Sequence, residues 1–406
     1  IVMAILFGIL VYRRGAPLSV ATVVGVAGIV ICLVIGLNFH PIYLSKDVWM
    51  WIIGAYILVA SVAPVWILLQ PRDYLSSFLL YGMMIIAFVG ILGAGVMGQN
   101  TSLDMPAFTG WKDTMTVSAT GAPASLGTVF PALFITIACG AISGFHSLVG
   151  SGTTSKQLDR ERDAKPIAYG GMLIECALAL ISLCAVAFVW NRYSLNFGEE
   201  GFLRAPTQVF ATGLAGMVAS IPGLAGVESI VRTLLILTVS AFCLTSLDTA
   251  TRLARYMFQE FWLEPGQTVK DIDSGIKKTL VNPYVATIIT VVLGILLGMT
   301  GYAKIWGLFG AANQLLAGLG LLAVATWLGN IGRNNKMFLF PMAFMMVVTI
   351  CSLVLTVKDQ IGIIGAGGAD WGPYAQVFFA VLLIVLSVIL VIEGIQTLTG
   401  NNHKNS

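Results

Sequence analysis

The chain has 406 residues, 57% of them hydrophobic, and only 22 Lys or Arg and 19 Asp or Glu. A soluble domain devotes about a quarter of its residues to those four types, so a water-solvated globule and a disordered chain are both excluded. The net charge of +3 points to no nucleic-acid partner, and a mean hydropathy of +0.90 marks a polytopic protein whose solvent is the lipid bilayer.

In chain order the apolar runs predict eleven transmembrane helices, over 1–12, 18–36, 48–69, 77–97, 129–148, 168–190, 229–247, 282–300, 306–328, 337–356 and 374–395. The runs are continuously apolar and lack the period-two alternation of barrel strands, so the expected fold is an all-α transmembrane bundle. A helix over 1–12 reaches only about 18 Å, short of a hydrocarbon core of about 30 Å. Its cations, Arg13 and Arg14, follow the run, whereas a signal peptide carries them in front. Because Ile1 is also not an initiator Met, the chain is expected to open inside a helix of a longer protein. Residues 205–226 carry Gly213, Gly216, Pro222, Gly223 and Gly226, which suit a broken or interfacial segment better than a further span.

Cations gather on the cytoplasmic side of membrane proteins, and their distribution fixes an expected topology. With eleven spans, Lys46, Lys112, Arg192, Arg204, Lys304 and Lys358 fall on one side, Arg232 falls within a span, and the remaining fifteen share the other side. If 205–226 crossed as well, the split would become 9 against 12 and the bias would vanish. The C-terminus and loops 151–166 and 248–281 are therefore expected in the cytoplasm, with loops 98–128 and 191–228 facing outward as lids or partial covers. The whole of 1–406 reads as one integral-membrane domain. Within it, 248–280 is read as a cytoplasmic interfacial element: Leu253, Tyr256, Met257 and Phe261 meet lipid while Arg252 and Arg255 reach the headgroups. The same residues also fit the charged end of the preceding span.

Several chemistries have no apparatus here. The six cysteines lie singly in apolar runs without CxxC spacing, and the three histidines, His40, His146 and His403, are far apart. Neither a disulfide framework nor a metal centre is indicated. No nucleotide-binding loop or hydrolase motif occurs, so an enzyme is not expected, and no cofactor beyond a coupling ion: a proton, with sodium as the alternative.

The most informative stretch is 130–158, FPALFITIACGAISGFHSLVGSGTTSKQL. An apolar helix meets Gly140, Gly144, Gly150 and Gly152 interleaved with Ser143, His146, Ser147, Ser151 and Thr153. Each glycine destabilises a helix by about 1 kcal/mol relative to alanine, and non-helical backbone at membrane depth persists only where it lines a cavity or is enclosed by protein. The pattern predicts a broken helix of the kind that binds solutes in secondary transporters; the plainer alternative is small residues that let helices pack closely. His146 is either a proton carrier or a packing histidine. Glu175, within the apolar span 168–190, costs a few kcal/mol if ionised in lipid; it is read as a proton-coupling group, or as half of a pair with His146 or a cation. Asp248, ringed by Thr245, Ser246, Thr249 and Thr251, is either a cap or an ion or proton site. Asn313 and Gln314 place amides in mid-span beside Gly310 and Gly318; such groups must find partners inside the bundle, and they are read as polar lining for substrate. Arg72 and Asp73, in QPRDYL, are read as a topology anchor and a helix cap rather than as a site.

The stretches QPRDYLSSFLL, FITIACGAISGFHSLVGSGTTSKQL, AYGGMLIE, LTSLDTATRLARYMFQEF and LFGAANQLLAGL resemble those of the carbon starvation protein A (CstA) family. The resemblance implies a multi-pass inner-membrane carrier, linked to peptide uptake during carbon starvation and in some members to proton-coupled pyruvate uptake. It also implies a fold of the amino acid–polyamine–organocation type, with inverted repeats and a broken helix in each half. The glycine- and proline-rich helix of the family's N-terminal portion has no counterpart here, consistent with a fragment. The expected function is a secondary active importer of peptides or pyruvate-like carboxylates; the competing class is a membrane sensor or scaffold that reports starvation to a cytoplasmic partner. The sequence sets no oligomeric state.

Overall fold

In the computed structural model the described residues are 1–39, 42–97, 105, 107–108, 110–111, 128–190, 206–264, 266–272, 274–367 and 370–400, and every regular element among them is a helix. Most of loop 98–128, residues 191–205, His40 and His403 lie outside them. The helices are α1 (Val2–Gly8), α2 (Leu18–Asn38), α3 (Lys46–Val62), α4 (Leu69–Val96), α5 (Phe134–Ala138), α6 (Gly144–Gly152) and α7 (Ala164–Val189). They continue with α8 (Pro206–Ala219), α9 (Glu228–Glu260), α10 (Ile276–Leu280), α11 (Pro283–Thr300), α12 (Trp306–Asn330), α13 (Lys336–Gly365) and α14 (Trp371–Gly400). Eight of those described, α2, α4, α7, α9, α11, α12, α13 and α14, are long and apolar enough to cross a membrane. The other three expected spans are shorter: 1–12 lies in the short apolar helix Val2–Arg13, 48–69 ends as a 17-residue α3, and 129–148 is divided between α5 and α6.

The chain forms two compact units, one of Ile1–Pro106 with Tyr169–Met299 and the other of Ala107–Ala168 with Thr300–Ser406. In the first unit, Ser45 starts α3 by accepting the Val48 N–H on its hydroxyl, 3.4 Å away, and Asp47 follows in the first turn, where the helix dipole favours an acid. The core of this unit gathers around α8. Ala211 to Val218 are all buried, packed with Met83 and Ala87 of α4, Ile181 and Ala185 of α7, and Leu235 of α9.

The segment 205–226, expected to be broken or interfacial, is a buried α8 that stops at Ala219 and turns at Pro222 and Gly223, the latter at φ 88°. The small residues within α8 bring helices close together instead of breaking one: Gly213 lies directly on the backbone of Ala185, and Gly90 of α4 lies against Val218. At about 21 Å, α8 remains short of a full crossing. Gly213→Ala should cost about 1–3 kcal/mol, because the added methyl meets rigid backbone. Thermal unfolding in detergent checks this, with Gly226→Ala, where a methyl meets nothing within 4 Å, as the control.

Residues 248–260 continue α9 without interruption. Leu253 and Gln259 are buried there, while Met257 and Phe261 are exposed.

In the second unit α12, α13 and α14 pack side by side. Leu308 and Ala311 of α12 meet Leu353 of α13 and Ala380 of α14, and Gly318 admits the Met346 side chain. An ion pair between Lys304 and Asp370 ties the start of α12 to the start of α14. The hydrogen bonds from Lys304 and from the Gly372 N–H hold the Asp370 carboxyl below its ordinary range.

Candidate functional site

Two polar constellations stand out, one in each unit. The first is the interruption between α5 and α6. After Ala138 the chain leaves the helix in a tight turn: Ala141 N–H bonds to the Ala138 carbonyl at 2.9 Å, and Ile142 N–H to the same carbonyl at 2.7 Å. These contacts use the last carbonyl of the first half-helix, which would otherwise lack a partner. The helix restarts at Gly144, and Ser143, at its N-cap, makes no side-chain cap. The cap comes instead from Asn313 on α12. Its Oδ1 accepts the Phe145 N–H at 2.9 Å, and its Nδ2 donates to Ser143 Oγ and Cys139 Sγ, each at 3.0 Å. One amide thus bridges both ends of the break.

This bridging requires close approach. A Cβ on Gly144 would collide with the Asn313 carbonyl oxygen, the Leu316 Cβ and the Ala317 nitrogen. One turn further on, Gly320 of α12 lies under Ser147, whose hydroxyl donates back to the Gly144 carbonyl at 2.7 Å. Beside Asn313, Gln314 is fully buried. Its Nε2 reaches the Ile135 carbonyl at 3.5 Å. Its Oε1 and the hydroxyl of the equally buried Thr349 have no hydrogen-bond partner among the described residues, and neither does the Thr153 hydroxyl. Buried polar groups are costly to leave unpaired, so this unit retains unused hydrogen-bonding capacity.

The second constellation joins α3, α4 and α9. Asp248 is 2% exposed and Arg72 6%, and they form an ion pair. Tyr56 of α3 donates its hydroxyl to Asp248 Oδ2 at 2.7 Å and accepts from Arg72 Nη1 at 2.8 Å. Arg72 Nη2 also reaches Asp73 at 3.0 Å. One turn after Asp248, Arg252 donates from Nη2 to the Ala60 and Ala63 carbonyls, both at 2.8 Å. Those are the last carbonyls of α3, where partners are lacking and the dipole is negative, so a guanidinium is well placed. The reading of Arg72 as a topology anchor is corrected. It sits in the first turn of α4, where the dipole disfavours a cation, and a buried carboxylate from a helix 176 residues away compensates it.

Of the residues singled out by sequence, Gly140, Ser143, Gly144, His146, Ser147, Ser151, Thr153, Asn313 and Gln314 all belong to the second unit, with Gly140, His146, Ser147 and Ser151 exposed and Gly144 buried. Glu175 and Asp248 belong to the first. Glu175 is partly exposed on a stretch of α7 whose neighbours Met172 and Leu173 are exposed. Tyr56, Arg72 and the capping role of Arg252 were missed by sequence. The expected topology did place QPRD and LDTATRLAR at the same face, which was the available signal. Among the described residues no cluster of His, Cys, Asp and Glu could hold a metal ion.

Helices of spanning length, a helix broken and braced by an amide, and an ion pair enclosed among three helices define a polytopic helical membrane protein with polar machinery inside. The chain belongs to the CstA family: the family model described as "Carbon starvation protein CstA" matches residues 1–198 and 192–352. It is 32% identical over 375 residues to "Peptide transporter CstA" of Bacillus subtilis (strain 168), covering 83% of this chain and 60% of that protein. Against the protein of the same name from Helicobacter pylori (strain J99) identity is 34% over 356 residues, covering 76% of this chain and 50% of the other. Against "Pyruvate/proton symporter BtsT" of Escherichia coli (strain K12) it is 31% over 369 residues, covering 74% and 49%. The chain thus spans about half the length of the curated relatives it matches. No solved structure matches it.

Proposed function

We propose that the protein is a secondary active carrier that imports peptides or a pyruvate-like carboxylate across the inner membrane in the response to carbon starvation, driven by protons or, alternatively, sodium. The observation that carries this reading is the interrupted α5–α6 helix held open by Asn313. Breaks of that kind place helix ends and freed backbone groups where a solute can reach them. Family membership and the transporter names of the relatives support a carrier over a starvation sensor.

In this proposal the chain crosses the membrane eleven times with its C-terminus in the cytoplasm, α1, α3 and the α5–α6 pair supplying the three shorter crossings within an inverted-repeat fold. Substrate is held by the region of Gly140, Ser143, Gly144, His146, Ser147, Ser151 and Thr153, with Asn313 and Gln314 as polar lining. Glu175 is the first coupling candidate and His146 the second. Asp248, already engaged by Arg72 and Tyr56, couples only if protonation frees Arg72.

Counterflow tests the proposal. Proteoliposomes of the complete protein, loaded with unlabelled pyruvate or dipeptide, should accumulate the labelled compound transiently without an ion gradient; no accumulation of either compound would sink the carrier reading. Glu175→Gln should abolish gradient-driven uptake and leave counterflow largely intact. Unchanged uptake would remove Glu175 from the coupling role.

A further inference from the structure

The second half of α9 carries more buried positive charge than its surroundings neutralise. Arg252 and Arg255, one turn apart, are 6% and 7% exposed. Arg72 is matched by Asp248, and Arg252 is met by the terminal carbonyls of α3. Arg255 has no such match: it forms no ion pair with a carboxylate among the described residues. Its neighbours are Tyr256, whose ring lies 4.6 Å from the guanidinium and whose side chain takes a hydrogen bond from it, and Arg252, which repels it.

Beyond Asp248, whose Oδ1 is a buried acceptor without a partner among the described residues, the unpaired groups at this end of the chain segment are donors. Arg252 Nε, Arg255 Nε and Trp262 Nε1 are buried N–H donors without a partner among the described residues. Arg252 and Arg255 are i and i+3 on one face of α9, and Trp262 lies in the turn just after the helix ends. Gln259, on the same face, spends its amide N–H on the Val281 carbonyl at 2.6 Å. A lysine or histidine in such a place can shed its proton, but a guanidinium stays charged. A buried, unpaired charge is costly unless a counter-charge reaches it.

We propose that Arg255, with the unpartnered Nε of Arg252 beside it, forms a binding site for a small oxyanion, a carboxylate or a phosphate group. Planar guanidinium groups suit both, since their N–H donors match the spacing of oxyanion oxygens. The anion comes either from solution or from the phosphodiester headgroup of an anionic lipid. The inference is independent of the transport proposal, because it is read with phosphate, which that proposal does not name as a substrate.

The test is thermal unfolding of the complete protein in nanodiscs, at constant ionic strength with chloride as the reference anion. In discs of phosphatidylcholine alone, phosphate should raise Tm by several degrees if the ligand is a dissolved anion. If only discs containing phosphatidylglycerol show the rise, the ligand is the headgroup. In both cases Arg255→Gln should abolish the shift and Arg255→Lys should weaken the anion's apparent affinity at least several-fold, since a point charge replaces a fork of donors. If Arg255→Gln does not fold, the Lys variant and native mass spectrometry of the wild type, which should retain one phosphate or one anionic lipid, decide the matter. No shift with any anion, or an equal shift in the variants, overturns the site.

Discussion

Arg72→Ala is expected to lower the stability of the protein by about 3–5 kcal/mol, the cost of stranding one partner of a buried ion pair. Asp248 is 2% exposed, and without Arg72 it keeps Tyr56 as its direct hydrogen-bond donor and the more remote charge of Arg252. The loss is large because the substitution leaves a carboxylate enclosed, a far greater penalty than that of an exposed ion pair, worth about 0–1 kcal/mol. The double variant Arg72→Ala with Asp248→Ala should therefore lose less than the two single variants added together, since neither charge is left stranded. Denaturation in detergent micelles, followed for all four forms, checks both statements. A loss below about 1 kcal/mol for Arg72→Ala would mean that water reaches the pair and that it does not hold α3, α4 and α9 together.

The second large effect is expected at the helix break. Gly144→Ala should cost about 1–3 kcal/mol, because two of the three atoms met by the new methyl are backbone atoms of α12, which cannot move without moving the helix. Gly150→Ala, six residues on in the same helix and open on all sides to 4 Å, should instead be neutral or stabilising by up to about 1 kcal/mol. Asn313→Ala removes the acceptor of the Phe145 N–H and the donor to Cys139; each group left unpaired costs about 1–3 kcal/mol. In uptake assays Gly144→Ala and Asn313→Ala should both lose transport while Gly150→Ala keeps it. Equal behaviour of the two glycine variants would show that the break is not shaped by the contact with α12.

Apolar length was sufficient to read the helical membrane class and most helix positions, because it depends on local composition alone. Glycine-rich apolar segments were harder. The same composition produced a broken helix at 134–152 and an unbroken, buried one at Pro206–Ala219. What separates them is the neighbour: Gly144 meets α12 next to a polar side chain that caps the restart, whereas the atoms nearest Gly213 are the Ala185 backbone. Sequence marked Asn313 and Asp248 as polar groups at unusual depth, yet it could not name their partners. Arg72 was undervalued for the same reason, since a cation at a span end reads as a topology signal until the helix facing it is known. Tyr56 carried no signal at all, being one aromatic residue in an apolar run.

The proposal of a proton-coupled carrier is tested most directly by substrate-driven proton movement. Proteoliposomes of the complete protein enclosing a pH-sensitive dye, with no initial pH gradient, should acidify inside when pyruvate or a dipeptide is added outside. A lumen that stays at constant pH with both substrates, while counterflow proceeds, would contradict proton coupling.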